Sequence, residues 1–502
     1  MLENIKNSFT NFSTNNAFFI DDVFYSYNDV ALIASKIKNY IDINIPKNQK
    51  LIGLTTYEFA DINTYAAIFG ILFSGKGVVP INPDNPMNRQ KSVVGLADLK
   101  NIFISKHDSV VDQLATIDDV QLCDISSLKE TEINLVVPSI TDEDTVYVLF
   151  TSGSTGIPKG VPLSYKNFKS FFDGYFELGY EFTENDRFLQ TSDLTFDLSI
   201  MSFLAPLLKG ACCYTIPSKG VKFTNIYSML EEHEITTALM VPSVLSYLRP
   251  YFEDICLEKM RYSLFCGEAL YLDLVKEWSK CVPNALIQNV YGPTEVTIFC
   301  LSYNYNPKLA DEKSSNGVIC IGKPMKHTKS IIVDDNLQIV AKGEKGELCL
   351  AGGQLTSGYL KNEERNKNAF FEIEIDSAKE RFYKTGDIAY IDDDNDFMYN
   401  GRKDYQIKIH GYRIELSEVE HFARELSGCT QVAAIAKGNR VDILAIHLFL
   451  ENYTEDLSEF KMLLKSKLPY YMMPETIRTI AKFPLNVNGK IDRKTLLNLL
   501  TN

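Results

Sequence analysis

The 502-residue sequence predicts an α/β protein with a large N-terminal unit, residues 1–403, and a smaller α+β unit, residues 404–502. Three observations carry this. Short apolar runs alternate with longer amphipathic stretches through the first 400 residues, the pattern of strands with covering helices. Hydrophobic residues make up 45% of the chain and charged residues 23%, which supplies ample core and excludes whole-chain disorder. The acidic, turn-rich tract Asp392-Asp393-Asp394-Asn395-Asp396, followed by Asn400-Gly401, interrupts the pattern just before Asp404, and beyond it a small unit begins.

The elements follow in order. Val146-Tyr147-Val148-Leu149-Phe150 reads as a buried strand that ends in a Thr/Ser/Gly loop. Ala285-Leu286-Ile287 leads into Tyr291-Gly292-Pro293, a strand followed by a turn. Gly346 to Leu350 and Phe397 to Tyr399 read as antiparallel strands nearer the surface. In the small unit, Ser417-x-x-Glu420 predicts a capping box opening a helix with apolar face Val419, Phe422, Ala423 and Leu426 and a stop at Gly428. Asn488-Gly489 is a tight-turn dipeptide that presents Lys490 before a short terminal helix.

Composition narrows the function. The 51 Lys plus Arg against 65 Asp plus Glu give a net charge of -14, which argues against a protein that coats nucleic acid. Residues 405–502 carry 13 basic against 11 acidic side chains, so the acidic excess lies in the large unit. The ten cysteines contain no CxxC pair, so free thiols are expected rather than a zinc ribbon or disulfide framework. Met1-Leu2-Glu3-Asn4 has neither a basic nor an apolar leader region, and the longest charge-free stretches, such as Ile235 to Leu248, run to 14 residues. A membrane span needs about 20. A cytoplasmic enzyme without membrane insertion is the expectation.

The strongest local signal is Thr151-Ser152-Gly153-Ser154-Thr155-Gly156-Ile157-Pro158-Lys159-Gly160. Hydroxyls and glycines after a strand expose backbone N–H groups that can wrap a polyphosphate, and Lys159 adds charge. It is not a Walker A loop, because Pro158 and Gly160 stand where that motif needs Gly and Ser or Thr. Taken singly, later residues stay ambiguous: Asp387 reads equally as a turn residue and Asn289 as a strand-end cap.

The loop resembles the phosphate loop of the adenylate-forming superfamily of acyl-CoA synthetases, luciferases and nonribosomal peptide adenylation domains. Tyr291-Gly292-Pro293-Thr294-Glu295, Tyr383-Lys384-Thr385-Gly386-Asp387, Gly401-Arg402-Lys403-Asp404-Tyr405-Gln406 and Asn488-Gly489-Lys490-Ile491-Asp492-Arg493 agree in order across essentially the whole chain. The resemblance implies a large domain of packed β-sheets with surrounding helices, a mobile small domain hinged at Asp404, and ATP with Mg²⁺. It implies Glu295 on the metal, Thr294 on the α-phosphate, Asp387 and Arg402 on the ribose, and Lys490 as the adenylation lysine. Asn289, Val290, Tyr291 and Gly292, with Gly267 and Glu268, would surround the base.

The substrate class rests on Phe196-Asp197-Leu198-Ser199, where amino-acid activators of the superfamily place an aspartate against the α-ammonium group. A buried Asp is costly unless paired, so Asp197 calls for a cation; the plain alternative is a helix cap. Carried over position by position, the pocket is Asp197, Leu198, Met201, Leu239, Leu264, Cys266, Val290, Ile298 and Phe299, closed by Lys490. Its apolar lining and bulky Phe299 point to a short aliphatic amino acid. Phe196 to Met201, Leu264-Phe265-Cys266-Gly267-Glu268, Gln406 to Arg413, Met472-Met473-Pro474 and the stand-alone length are similar to the D-alanine–D-alanyl carrier protein ligases. That family implies D-alanyl adenylate formation and transfer to the phosphopantetheine thiol of a carrier protein, with Lys408 to Gly411 lining the thiol's path and Cys266 in the methyl pocket. The alternative is a stand-alone peptide-synthetase-type adenylation enzyme for another small or hydrophobic amino acid.

Overall fold

The computed structural model describes residues 1–500 except 58–59, 109, 154–155, 376, 405, 441–442 and 486–490. Two sheets dominate the large unit. A six-stranded sheet is built largely from parallel strands of the first 151 residues, closed by the antiparallel strand Lys159–Ser164. A nine-stranded sheet runs parallel through its centre, including Arg187–Gln190, Thr237–Met240, Tyr262–Phe265 and Leu286–Tyr291.

Two helices show why the sheets stack. Helix Ile62–Phe73 buries every residue except Asn63, and helix Asp197–Leu207 is buried throughout. A helix apolar on all sides must lie inside. The first packs on the six-stranded sheet and the second on the nine-stranded one. They meet where Tyr65 and Phe69 face Phe203, ring centroids 5.6 and 6.3 Å apart. A five-stranded antiparallel sheet follows, containing Gly346–Gly352, Ala378–Ile391 and Phe397–Arg402.

From Gln406 the chain forms the hairpin Gln406–Ile409/Tyr412–Glu415 and a three-stranded sheet, Val432–Arg440, Ile443–Glu451 and Thr476–Ile480. Helices Leu416–Ser427 and Leu457–Lys465 cover an apolar core that includes Ile414, Val419, Leu448 and Phe460, and helix Arg493–Leu499 packs Leu496 onto a second cluster with Ala433 and Phe449. Among the described residues no helix is long and apolar enough to cross a membrane, and all ten cysteines are free.

The expected strands are present as Thr145–Thr151, Leu286–Tyr291, Gly346–Gly352 and Phe397–Arg402. The capping box is not. The strand Tyr412–Glu415 runs straight into the helix, so Glu415 is the N-cap and Ser417 already sits in the first turn. Glu420 instead accepts from Ala434 N–H and Arg493, at 2.8 and 2.6 Å. Gly428 ends the helix in the left-handed conformation, φ 66°, as expected. The Asn488-Gly489-Lys490 turn lies outside the described residues.

The acidic tract has a structural partner. Lys313, with its side chain 6% exposed, contacts Asp392, Asp394 and Asp396 at 2.7, 2.7 and 2.6 Å. These three carboxylates are close enough together to hold a metal, but the ammonium already supplies the cation. Lys313→Met leaves the buried Asp396 carboxylate without its ammonium, and denaturant unfolding should show a loss of about 3 kcal/mol.

Candidate active site

The end of strand Thr145–Thr151, the turn after Leu286–Tyr291 and the start of helix Asp197–Leu207 converge on a cavity of about 70 Å³. Thr151, Ser152, Asp197, Leu198, Cys266, Gly267, Tyr291, Gly292, Thr294, Ile298, Asp387, Arg402, Lys408 and Gly411 all line it. The chain thus brings together residues from seven of the segments singled out in the sequence. Met201, Leu239, Leu264, Val290 and Phe299 are not among its lining residues; they sit behind it in the apolar core. Phe299, expected to narrow the pocket, packs instead on Phe171 and Tyr175, with centroids 5.0 and 6.0 Å away. Lys490, Ser154 and Thr155 lie outside the described residues.

Asp197 is the first residue of its helix, after N-cap Phe196, so it is not the N-cap itself; its carboxylate accepts from Thr294 and from the Leu198 N–H. The residue is 8% exposed. Burial pushes its acid up to about 6, with Thr294 and Lys408 partly opposing. Beside it the Cys266 thiol is held at about 12 by burial, so it stays a neutral wall.

The turn after Thr294 is strained in a useful way. Thr297 and Ile298 hold φ of 52° and 70°, rare for β-branched residues. Buried Gln354 fixes them, donating to the carbonyls of Val296, Thr297 and Phe299 at 3.2, 3.2 and 2.8 Å. No local sequence signal identified Gln354.

The loop after strand Thr145–Thr151 meets the small unit directly. Gly153 cannot carry a side chain, because a Cβ would lie 2.0 Å from the Ile157 carbonyl oxygen. Its N–H donates to Glu418 at 3.1 Å, and Glu418 also accepts from Arg89 at 3.1 Å. Ser152 Oγ donates to the Arg413 carbonyl at 2.8 Å, while Lys159 reaches Glu415 at 3.4 Å. Burial, aided by Arg413, lowers Lys159 to about 8. The Thr151 hydroxyl is buried without a hydrogen-bond partner among the described residues.

Glu295, expected to hold Mg²⁺, is 0% exposed, and both its oxygens accept from Arg413, at 3.0 and 2.9 Å. Tyr359 donates to it as well, at 2.6 Å. Burial alone would raise this acid; Arg413 and Lys159 reverse that and hold it at about 2. In this arrangement the residues do not fit a metal, because the guanidinium already fills the carboxylate's coordination.

A second cleft of about 480 Å³ opens beside the first and includes Glu268, Asn289, Tyr291, Asp387, Arg402 and Lys408 in its lining. Asn289 donates through Nδ2 to the Ile319 and Cys320 carbonyls, at 3.3 and 2.9 Å. Asp387 accepts from Tyr291 Oη and from Arg402 at 2.8 Å, and Arg402 also grips Asp404 at 2.7 and 2.9 Å. Both oxygens expected for ribose are thus held by neighbours here. A third, narrower cavity of about 170 Å³ is lined by Leu198, Phe223, Val241, Val244, His410 and Gly411.

A family model described as AMP-binding enzyme matches residues 10–360. The chain belongs to the AMP-binding enzyme family. It is 29% identical over 499 residues to a D-alanine--D-alanyl carrier protein ligase of Lactiplantibacillus plantarum, covering 95% of this chain and 94% of that one. It is 30% identical over 516 residues to gramicidin S synthase 1 of Brevibacillus brevis, spanning 99% of this chain but 45% of that longer protein. Among solved structures, the Vibrio cholerae adenylation domain AlmE, in complex with glycyl-adenosine-5'-phosphate, superimposes with a TM-score of 0.85. That match has 23% identity and covers 99% of this chain and 97% of that one, which shows a shared fold.

Within this AMP-binding enzyme, Arg413 falls in a segment legible in the sequence, but its pairing with Glu295 is not. Arg89, Tyr359 and Gln354 carry no local signal, because they lie in unremarkable stretches far from the residues they hold.

Proposed function

We propose that this enzyme activates a small amino acid with ATP and passes the aminoacyl group to a phosphopantetheine thiol on a carrier protein, with D-alanine as substrate. Asp197 carries the reading: a carboxylate buried in the cavity wall, with no ion pair among the described residues, suits an α-ammonium group. Leu198, Cys266 and Ile298 in the same wall suit a short aliphatic side chain. The similarity to D-alanine--D-alanyl carrier protein ligases supports the same choice.

In the first step a carboxylate oxygen of the amino acid attacks the α-phosphorus of ATP and pyrophosphate leaves. The nucleophile is already ionised, so positioning and charge neutralisation carry the step; we assign these to Thr294, the phosphate loop with Lys159, and Lys490. In the second step the thiol sulfur attacks the acyl carbon, AMP leaves, and the thiol proton passes to solvent. We assign the narrow cavity reaching Gly411 to the pantetheine arm, and Asp404 to the hinge between residues 1–403 and 404–502.

The structure as described suits the second step. With the hairpin seated, Glu418 takes the Gly153 N–H, a donor that the first step needs for phosphates. The two uses exclude one another, so pyrophosphate departure and hairpin seating are coupled.

ATP–pyrophosphate exchange tests the reading, run with D-alanine, L-alanine, glycine, serine, valine, leucine, aryl acids and fatty acids. D-Alanine should support the fastest exchange; exchange only with acids lacking an amino group overturns it. A preference for valine or leucine favours the peptide-synthetase-type alternative, for which the likeness to gramicidin S synthase 1 speaks. Cys266→Ala should narrow the D- over L-alanine ratio at least fivefold, about 1 kcal/mol of discrimination.

A further inference from the structure

The sequence motif containing Gly267-Glu268 suggested that Glu268 contacts the nucleotide. Its carboxylate is committed elsewhere. Oε1 accepts from the Gly411 N–H at 2.8 Å and Oε2 from the Ser243 N–H at 2.8 Å. Ser243 lies in the first turn of helix Pro242–Leu248, whose orphan N–H groups need an acceptor. One side chain therefore joins that helix to the tip of the hairpin Gln406–Ile409/Tyr412–Glu415.

The joint matters because of what it spaces. The helix and the residue before it supply Val244 and Val241 to one wall of the narrow 170 Å³ cavity, and Gly411 supplies another. The fit is close: a Cβ on Gly411 would lie 2.6 Å from Val241 Cγ1, and one on Gly267 would lie 3.7 Å from the Gly411 Cα. Gly411 is held in the left-handed conformation, φ 80°, and the preceding His410 at φ 52°. Two successive positive φ values are the pattern of a two-residue type I′ hairpin turn, which shapes the tip locally but does not dock it; docking needs an external hold. His410 gives one, pairing with Tyr247 at 2.9 Å on the same helix. The carboxylate gives the other, and a charge-assisted bond from a backbone N–H is among the stronger kinds.

We propose that Glu268 is a positioning residue for the thiol-transfer step: it docks the Gly411 turn onto helix Pro242–Leu248 and so sets the walls of the thiol's path. This rests on the two-step reading above. It touches no reacting atom, and it gives the chain a large-unit receptor for the hairpin that is separate from the phosphate-loop contacts of Glu418 and Arg413.

The test is hydrogen–deuterium exchange on Glu268→Gln and wild type, resolved at the Gly411 amide, beside two kinetic assays on the full chain. These are ATP–pyrophosphate exchange and single-turnover transfer from preformed aminoacyl adenylate to pantetheine. Wild-type Gly411 should be protected. In E268Q its exchange should quicken at least tenfold and transfer should slow at least tenfold, with pyrophosphate exchange and the KM for ATP within threefold of wild type. An unprotected Gly411 in the wild type, or unchanged protection in E268Q, overturns the proposal. A raised KM for ATP with Gly411 still protected returns Glu268 to the nucleotide and also overturns it. If E268Q lowers Tm by more than about 10 °C, E268D takes its place under the same criteria. Absence of amino-acid-dependent exchange in the wild type would remove the functional reading, while the Gly411 measurement still decides whether Glu268 holds the turn.

Discussion

Asp197→Asn is expected to cut amino-acid-dependent pyrophosphate exchange at least 100-fold while making the ligand-free protein more stable near pH 7. Both effects come from one buried carboxylate. Its acid sits at about 6 because burial penalises the charged form. Since the folded value lies above the ordinary one, this group's contribution to stability is full below about pH 4 and is lost as pH rises through about 6. Near pH 7 the ionised group costs the ligand-free fold about 3 kcal/mol, on the order of two pKa units. Asparagine removes that cost, so thermal melts of D197N should exceed wild type at pH 7–8 and converge with it toward pH 4. An ammonium ligand needs the ionised form, so wild-type affinity for the amino acid should fall roughly tenfold per unit below pH 6. D197N should show no such slope. A variant that loses activity and stability together would mark Asp197 as a structural residue.

Gly411→Ala should separate the two half-reactions. The new methyl meets Val241 Cγ1 at 2.6 Å, and the left-handed φ of 80° disfavours any Cβ. The left-handed penalty is about 1 kcal/mol and overpacking about 1–3 kcal/mol, so seating the hairpin becomes harder by about 3 kcal/mol. Transfer from preformed adenylate should fall about 100-fold, the factor that energy corresponds to. Pyrophosphate exchange should stay within threefold, because the first step does not need the hairpin seated. Val241→Ala added to the variant should restore at least tenfold of the lost rate by vacating the contact. Equal loss of both half-reactions, or no rescue, would separate Gly411 from the thiol's path.

Much of the site was legible locally because its chemistry is written in short motifs. A loop such as Thr151 to Gly160 needs small and hydroxyl residues at consecutive positions, and a strand ending in Tyr291-Gly292-Pro293 announces its own turn. The strands and the stop at Gly428 were legible for the same reason. The capping box failed because a preceding strand ran directly into the helix, and nothing in Ser417-x-x-Glu420 reveals that. Phe299 was misplaced because a position in a motif does not say which side of the backbone faces the cavity; its ring turned to Phe171 and Tyr175.

What the sequence determined by itself was the chemical inventory: a loop of small and hydroxyl residues after a strand, an aspartate in an apolar stretch, and a turn-rich tract ahead of Asp404. Only the tertiary structure decided how those groups are shared. Arg413 on Glu295, Glu418 on Gly153 and Glu268 on Gly411 join residues more than 100 positions apart. Long-range pairs of that kind depend on how whole sheets and helices pack, and no window of sequence carries that information. The physical reason is range. Local motifs encode backbone geometry over a few residues, whereas the charge partners that choose between holding a phosphate and holding a hairpin meet only once both units are folded.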